Sequence, residues 1–418
     1  KTWKKSTLTT SLAASFLSDK RYDENFGGYG ILNDRMAYIS FTQTYSAEDP
    51  TATREYDHNL AGLFSARYQY DGRYGISTGL RVEKSSLLAT RARTALFYNA
   101  GLYWNLHNEA FLRNSGIEEL TLAFSHGTSG GIGFASEAYT ITYDNNIGNE
   151  YIYNYYLVGS PIVLMPNDRL HWYTVMRDNL SLSARYRNLS LGLLFYSRIT
   201  TDLPVITSLP LSTGYPYTFG NGGKISNRGV EGSLTVDLLP GRKELSLLTF
   251  ASVAYNRNRI EEVPAYFASP HNEAAMRNAE TMGTAASTEF LVPGYSFTEL
   301  YSTDPTTGQL VAKGPTTPTV QGNWGLSATY EKWQFNLVTT FSAGAKAYDA
   351  DRANPYVSDN RFTLRNVQVG YTLPLWNVTG LTIIASGENL VRYTSAHGNI
   401  GYYYPCARTF TLALRLQL

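Results

Sequence analysis

Six histidines, His58, His107, His126, His171, His271 and His397, are the side chains of this 418-residue sequence best suited to a metal. None sits in an i,i+4 pair or a His-Glu-x-x-His run, the spacings that bring two imidazoles to one helical face around zinc. The lone cysteine, Cys406, excludes an internal disulfide framework and a cysteine-based zinc site. Two carboxylate pairs, Glu118-Glu119 and Glu261-Glu262, fall beside expected turns or loops. Charge there is ordinarily solvated, whereas acid/base work needs a tuned environment. Residues 127–133, GTSGGIG, have the glycines of a phosphate-cradling loop. Such a loop opens a helix and usually carries Lys-Ser/Thr. Here Phe134, Ala135 and Ser136 follow, so the run reads as a flexible exit from a strand. No Ser-x-x-Lys run and no Cys/His pair supplies a nucleophile. These residues give no support for catalysis, and no cofactor or metal is expected.

Tyrosine carries more information. Tyr139, Tyr143, Tyr151, Tyr153, Tyr155 and Tyr156 crowd one segment, and Tyr402, Tyr403 and Tyr404 another. Girdle and packing roles account for most of the 33 tyrosines. Rigid rings that lose little entropy also favour interfaces. The expectation is that at least one cluster stacks on sugars or peptides, or docks a partner.

The elements that position these residues follow from composition and periodicity. With 35 Lys+Arg against 34 Asp+Glu, the net charge of +1 excludes a polybasic nucleic-acid binder and an acidic tail. A hydrophobic content of 43% excludes disorder. No run reaches the ~18 apolar residues of a spanning helix. The most apolar stretch, 151–165, is broken by Asn154, Gly159, Ser160 and Pro161. Alternation of period two is the recurring signal. In the last nine residues Phe410, Leu412, Leu414, Leu416 and Leu418 share one face, opposite Thr411, Ala413, Arg415 and Gln417. Leu189, Leu191, Leu193 and Phe195 oppose Ser190 and Gly192, and Trp333, Phe335, Leu337 and Phe341 oppose Gln334, Asn336, Thr340 and Ser342. The polar face is small and hydrophilic, unlike the apolar inner face of a sandwich.

This pattern predicts about fourteen strands, near 6–18, 60–71, 74–86, 95–105, 117–128, 171–187, 189–202, 224–238, 244–257, 320–331, 333–343, 361–373, 381–390 and 408–418. The segment 245–255 has mixed phase, and a phase shift near Asn366 predicts a bulge. An Ala/Glu/Met-rich stretch, 274–286, favours a short helix. Tight links at Asp71-Gly72-Arg73, Arg187-Asn188, Pro240-Gly241-Arg242 and Glu331-Lys332 alternate with mostly long ones. That alternation predicts an all-β, transmembrane, antiparallel outer-membrane β-barrel with short periplasmic turns and long extracellular loops.

A series of motifs in order then points to a family. Residues 63–86, LFSARYQYDGRYGISTGLRVEKSS, resemble a barrel hairpin of the SusC/RagA family of TonB-dependent outer-membrane transporters. Residues 104–112, WNLHNEAFL, are similar to that family's Trp-…-Asn-Glu-x-Phe-Leu turn, and 221–231, NGGKISNRGVE, to its Asn-x-Gly-x-x-x-Asn-x-Gly-x-Glu pattern. Pro293-Gly294-Tyr295, DPTTG at 304–308, RFTLRNVQVGYTLP at 361–374, Glu388-Asn389-Leu390 and the terminal strand continue the series. The terminal strand resembles a barrel-assembly signal formed by Phe410, Leu412, Leu414, Leu416 and Leu418, with Leu418 where the family usually has Phe. The resemblance implies import of large nutrients, oligosaccharides or peptides, with a SusD-like surface lipoprotein as lid docked on the tyrosine-rich loops. It implies a barrel of about 22 strands around a plug, with the TonB system acting only through that plug. No plug-like segment is read in residues 1–418, so the whole stretch is expected to be barrel wall, either partial or shortened. The other reading is a non-transporting, plug-less barrel that scaffolds surface lipoproteins in an outer-membrane assembly.

Overall fold

The computed structural model describes residues 2–25, 28–30, 44–45, 51–134, 136–139, 152–153, 156–157, 164–242, 244–281, 286–287, 290–304, 306–307, 309–348, 355–375, 378–394 and 408–417. Fourteen long strands dominate it: β1 (Ser6–Asn25), β2 (Thr51–Tyr70), β3 (Tyr74–Ser85), β4 (Thr94–Asn105), β5 (Ile117–Gly131), β6 (Tyr173–Tyr186) and β7 (Leu189–Thr201). The second half comprises β8 (Lys224–Asp237), β9 (Leu245–Glu262), β10 (Val320–Tyr330), β11 (Trp333–Tyr348), β12 (Tyr356–Leu375), β13 (Val378–Thr394) and β14 (Thr409–Gln417). Each pairs antiparallel with the next, in an unbroken meander that starts from the two-residue strand Thr2–Trp3.

Register fixes two faces. The rung Phe124–Leu180–Phe195–Val230–Tyr255 is apolar, and the adjacent rung Ala123–Ser181–Leu194–Glu231–Ala254–Gln321–Ser342–Arg361 is largely polar. Side chains on a pleated strand alternate faces, so a one-residue slip would exchange the two sets. Short turns hold that register. At the β2–β3 turn Asp71 and Gly72 have φ of 52° and 65°, and the Arg73 amide donates to the Tyr70 carbonyl at 2.9 Å. Two successive positive φ values suit the right-handed twist of a hairpin, and glycine reaches them without strain. Arg187 (φ 53°), Gly241 (φ 82°) and Glu331 (φ 49°) mark three further turns at the same end of the sheet.

All fourteen expected strands are present, but several run longer. β1 continues to Asn25 and β2 begins at Thr51, in register from Ser18↔His58 to Asn25↔Thr51. The added residues, among them Asp19, Lys20, Arg21 and Asp57, are polar on both faces. Alternation therefore could not reveal them. The bulge near Asn366 is real: β12 skips Arg365 against both neighbours, between Leu364 and Asn366. The mixed phase of β9 is not an irregularity. Its ladder with β10 is unbroken, and Phe250 turns to the polar face opposite Gly325, where a Cβ would come within 2.3 Å of the ring.

The sheet has two ends. Among the described residues β14 pairs with β13 alone, and β1 pairs with β2 and the short Thr2–Trp3 strand. The fourteen strands do not close on one another. Apolar side chains at both ends are correspondingly bare, with Leu12 85% and Leu412 73% exposed.

Candidate functional site

The polar face encloses a cavity of about 740 Å³ that runs from Ser181 on β6 to Arg361 on β12. One cavity touching strands six places apart means that the sheet is concave on this face. Its wall is built from serines, threonines, Gln321, Asn323 and a few charges. In that wall Ser252 Oγ bonds Asn323 Oδ1 at 2.5 Å; farther along the same face, outside the cavity, Ser327 Oγ bonds Asn336 Oδ1 at 2.8 Å. Arg361 forks onto Asp359 two residues away on the same face, with Nε 3.0 and 2.9 Å from the two carboxylate oxygens. A bidentate pair of this kind fixes a guanidinium rather than leaving it to wander.

Toward the long-loop end a second pocket of about 340 Å³ is lined by Arg177, Arg198, Tyr196, Asn227, Glu231 and Asn256. Tyr196 Oη donates to Asn256 Oδ1 at 3.1 Å, and Asn256 and Asn258 both donate to Asn227 Oδ1, at 3.3 and 3.1 Å. Gly229 lies beneath this cluster. A Cβ there would stand 2.2 Å from the Tyr255 carbonyl and 2.5 Å from Tyr196 Oη. The pattern Asn-Arg-Gly-Val-Glu at 227–231 is thereby explained: an amide acceptor, a glycine under a ring, and a carboxylate in the wall.

Described parts of several connections pack together. Leu88, Phe97, Phe134, Ala138, Leu170 and Trp172 form a small buried core joining the 86–93, 132–172 and 202–223 connections. Phe97 and Trp172 meet edge to face at 5.9 Å, and the Trp172 indole donates to the Ala92 carbonyl at 3.0 Å. Asn221 stitches the connections together: its Nδ2 reaches the carbonyls of His171 (2.8 Å) and Asp202 (2.9 Å), and its Oδ1 accepts from the His171 amide (2.9 Å). The 258–319 segment contains the helix α1 (Ala265–Thr281) and a ladder of Glu299–Thr303 with Leu310–Pro315. Ala275, Phe290 and Tyr301 make its core. Burial pushes the Glu299 carboxyl and the Tyr301 phenol up, and the Tyr301 hydroxyl is buried without a partner. Asp304 Oδ1 accepts the amides of Thr306 (2.8 Å) and Thr307 (3.1 Å), which hold its carboxyl below the usual range and close the DPTTG turn. The expected helix at 274–286 begins earlier, at Ala265; Ala286 belongs to a two-residue strand.

The short-turn end has its own lock. Glu109 Oε1 accepts from Tyr74 Oη (2.6 Å) and the Trp104 indole (3.1 Å), and Oε2 lies 3.3 Å from Arg73 Nη1. These donors, Tyr74 first, hold the carboxyl below its ordinary range.

Of the tyrosines singled out in sequence, Tyr139 closes a 3-10 turn (Ser136–Tyr139) and donates to the Ser86 carbonyl at 3.2 Å, a packing contact. Tyr153 and Tyr156 are cross-strand partners in a two-residue ladder. Tyr143, Tyr151, Tyr155, Tyr402, Tyr403, Tyr404 and Leu418 lie outside the described residues. Phe410, Leu412, Leu414 and Leu416 share the apolar face of β14, all more than half exposed. Sequence reading passed over Asn221, Asn227 and Glu109 as sites, although the motifs containing them were the available signal.

No family model matches the chain. TonB-dependent receptor P3 of Formosa agariphila is 23% identical over 513 aligned residues, covering 97% of this chain and 48% of that protein. TonB-dependent receptor P39 of the same organism is 26% identical over 236 residues, 55% of this chain and 22% of that protein. Among solved structures, the RagAB peptide transporter superposes with a TM-score of 0.78 at 18% identity, over 99% of this chain and 54% of that one. The outer-membrane transporter YddB of Escherichia coli gives 0.55 at 12% identity, over 93% and 48%. The chain thus spans about half the length of the proteins it matches. Its fold is the antiparallel wall of an outer-membrane β-barrel. In sequence and in fold, the chain is similar to the barrel portion of the SusC/RagA-type TonB-dependent receptors.

Proposed function

We propose that residues 1–418 are barrel wall, lumen lining and extracellular docking loops of a SusC-like, TonB-dependent outer-membrane transporter that imports oligosaccharides or peptides. The apolar face meets lipid and the polar face lines the lumen. Further strands pair with β1 and β14, because an unpaired strand edge in hydrocarbon leaves each backbone group unsatisfied at several kcal/mol. The observation that carries the reading is the concave polar cavity, walled by serines, threonines, Gln321 and Asn323 suited to hydroxyl and amide groups. A SusD-like surface lipoprotein sits on the long-loop end. The cores around Trp172 and Tyr301 support this, since packed loops offer a preformed docking surface at low ordering cost. TonB acts through a plug and not on this wall.

The test is uptake in cells lacking the TonB system. Loss of oligosaccharide or peptide uptake supports transport. Unchanged uptake with disturbed display of the surface lipoprotein supports the scaffold reading instead.

A further inference from the structure

The apolar face gives way to charge toward the long-loop end. On β5 to β9 the exposed rung Phe124–Leu180–Phe195–Val230–Tyr255 is followed, toward the long-loop end, by His126–Asp178–Ser197–Arg228–Arg257. Asp178 is occupied: its Oδ1 lies 2.6 Å from His126 Nδ1, and His126 Nε2 lies 3.1 Å from Tyr98 Oη. Arg228 and Arg257 are different. They stand directly opposite each other on neighbouring strands, both exposed, and neither has a hydrogen-bond or close ion-pair partner among the described residues, although Glu261 lies within electrostatic reach of Arg228, as it does of Arg259 and Lys224. Like charges in direct cross-strand register repel. Two guanidiniums beside an apolar band, each with five donors in a planar fork, are suited to a shared phosphate.

Below them lies a groove of about 570 Å³ with an apolar floor of Phe124, Leu180, Phe195, Val230 and Tyr255, and with Arg228, Arg257, Ser197 and the His126-bound Asp178 on its rim. Greasy floor and cationic rim together match an amphiphile. We propose that this groove seats a phosphate-bearing lipid of the outer leaflet, its acyl chain on the Phe124–Leu180–Phe195–Val230 row and its phosphate between Arg228 and Arg257. The assignment rests on the reading that the apolar face meets lipid. A bound phosphate turns the arginine pair from a repulsive contact into a clamp, so this sector of the wall is built for a particular headgroup as well as for hydrocarbon.

Native mass spectrometry of the protein purified from outer membranes tests this, with diphosphorylated lipid A, its dephosphorylated form and inorganic phosphate as probes. The wild type is expected to hold the diphosphorylated lipid about tenfold or more tighter than the dephosphorylated one, the scale of a charge-assisted hydrogen-bond pair. The R228Q/R257Q variant loses that preference and R228K/R257K keeps most of it. R177Q/R198Q, with the same charge loss on the polar face, keeps it in full. Without the phosphorylated lipid, R228Q/R257Q melts no lower than wild type, because repulsion is relieved; this separates lost binding from lost folding. A preference that survives in R228Q/R257Q, falls equally in R177Q/R198Q, or is matched by inorganic phosphate alone overturns the site. Equal retention of both lipids by every variant also overturns it while leaving the lipid-facing reading intact. Retention of neither lipid by any form fails that underlying reading.

Discussion

Glu109 gathers a tyrosine hydroxyl, an indole and a guanidinium, and so ties β3, β4 and the turn after β4 into one knot. Glu109→Ala takes this acceptor from the Tyr74 hydroxyl and the Trp104 indole, while Arg73 keeps Asp71 at 3.4 Å, and is expected to lower the denaturant midpoint of the barrel. Because the folded carboxyl titrates below its unfolded value, its contribution is complete above the ordinary carboxylate range and disappears as pH falls through the depressed value. Wild type and Glu109→Gln therefore diverge at neutral pH and converge in acid, a trend that urea titrations at several pH values will read. Gly229 makes the complementary steric case. The Tyr255 carbonyl, 2.2 Å from where a Cβ would sit, belongs to the ladder and cannot swing away. Gly229→Ala is expected to cost about 1–3 kcal/mol, as overpacking does, measured by urea unfolding in lipid vesicles. Gly62, with nothing within 4 Å of the same position, is the control that tolerates alanine sterically.

At the scale of elements, the loops behave as small domains hung on the wall. Trp172→Ala removes the centre of the Leu88–Phe134–Leu170 core, and removal of a buried Trp costs about 3–5 kcal/mol. That loss is expected to fall locally: hydrogen exchange accelerates across 86–97 and 134–139, while β10 to β12 keep their protection. Glu299 gives a pH-dependent counterpart. Burial raises its carboxyl, so the folded ladder favours the protonated form and is penalised as pH rises past the folded value. Glu299→Gln should therefore slow exchange at 299–303 near neutral pH and change little near pH 4. What sequence made legible here divides along physical lines. Strands inside the apolar band announce themselves because one face must be greasy. Their polar extensions, such as 19–25 against 51–57, leave no period to read. The loop cores were invisible for another reason: Trp172 and Ala92 are 80 residues apart, and no local pattern marks such partners. Motifs did point at the right segments, since WNLHNEAFL contains Glu109 and NGGKISNRGVE contains Asn221 and Asn227, but their roles needed the fold.

For the whole molecule, the meander, the two-faced register and the concave polar cavity describe one wall rather than separate soluble domains. Low charge and abundant tyrosine fit a sheet with hydrocarbon on one side and water on the other. Among the described residues β14 pairs only with β13, and β1 has beyond β2 only the two-residue Thr2–Trp3 strand, which makes closure by further strands the condition for stability in a membrane. The central claim is the division of the faces, and thiol labelling in intact outer membranes tests it most directly. In a Cys406→Ser background, cysteines replace Ser181, Ser252 and Asn323 on the polar face, and Leu180, Val253 and Trp324 on the apolar face. A membrane-impermeant maleimide is predicted to label the first three and spare the last three. Equal labelling of both sets, or labelling confined to the apolar positions, would contradict the account.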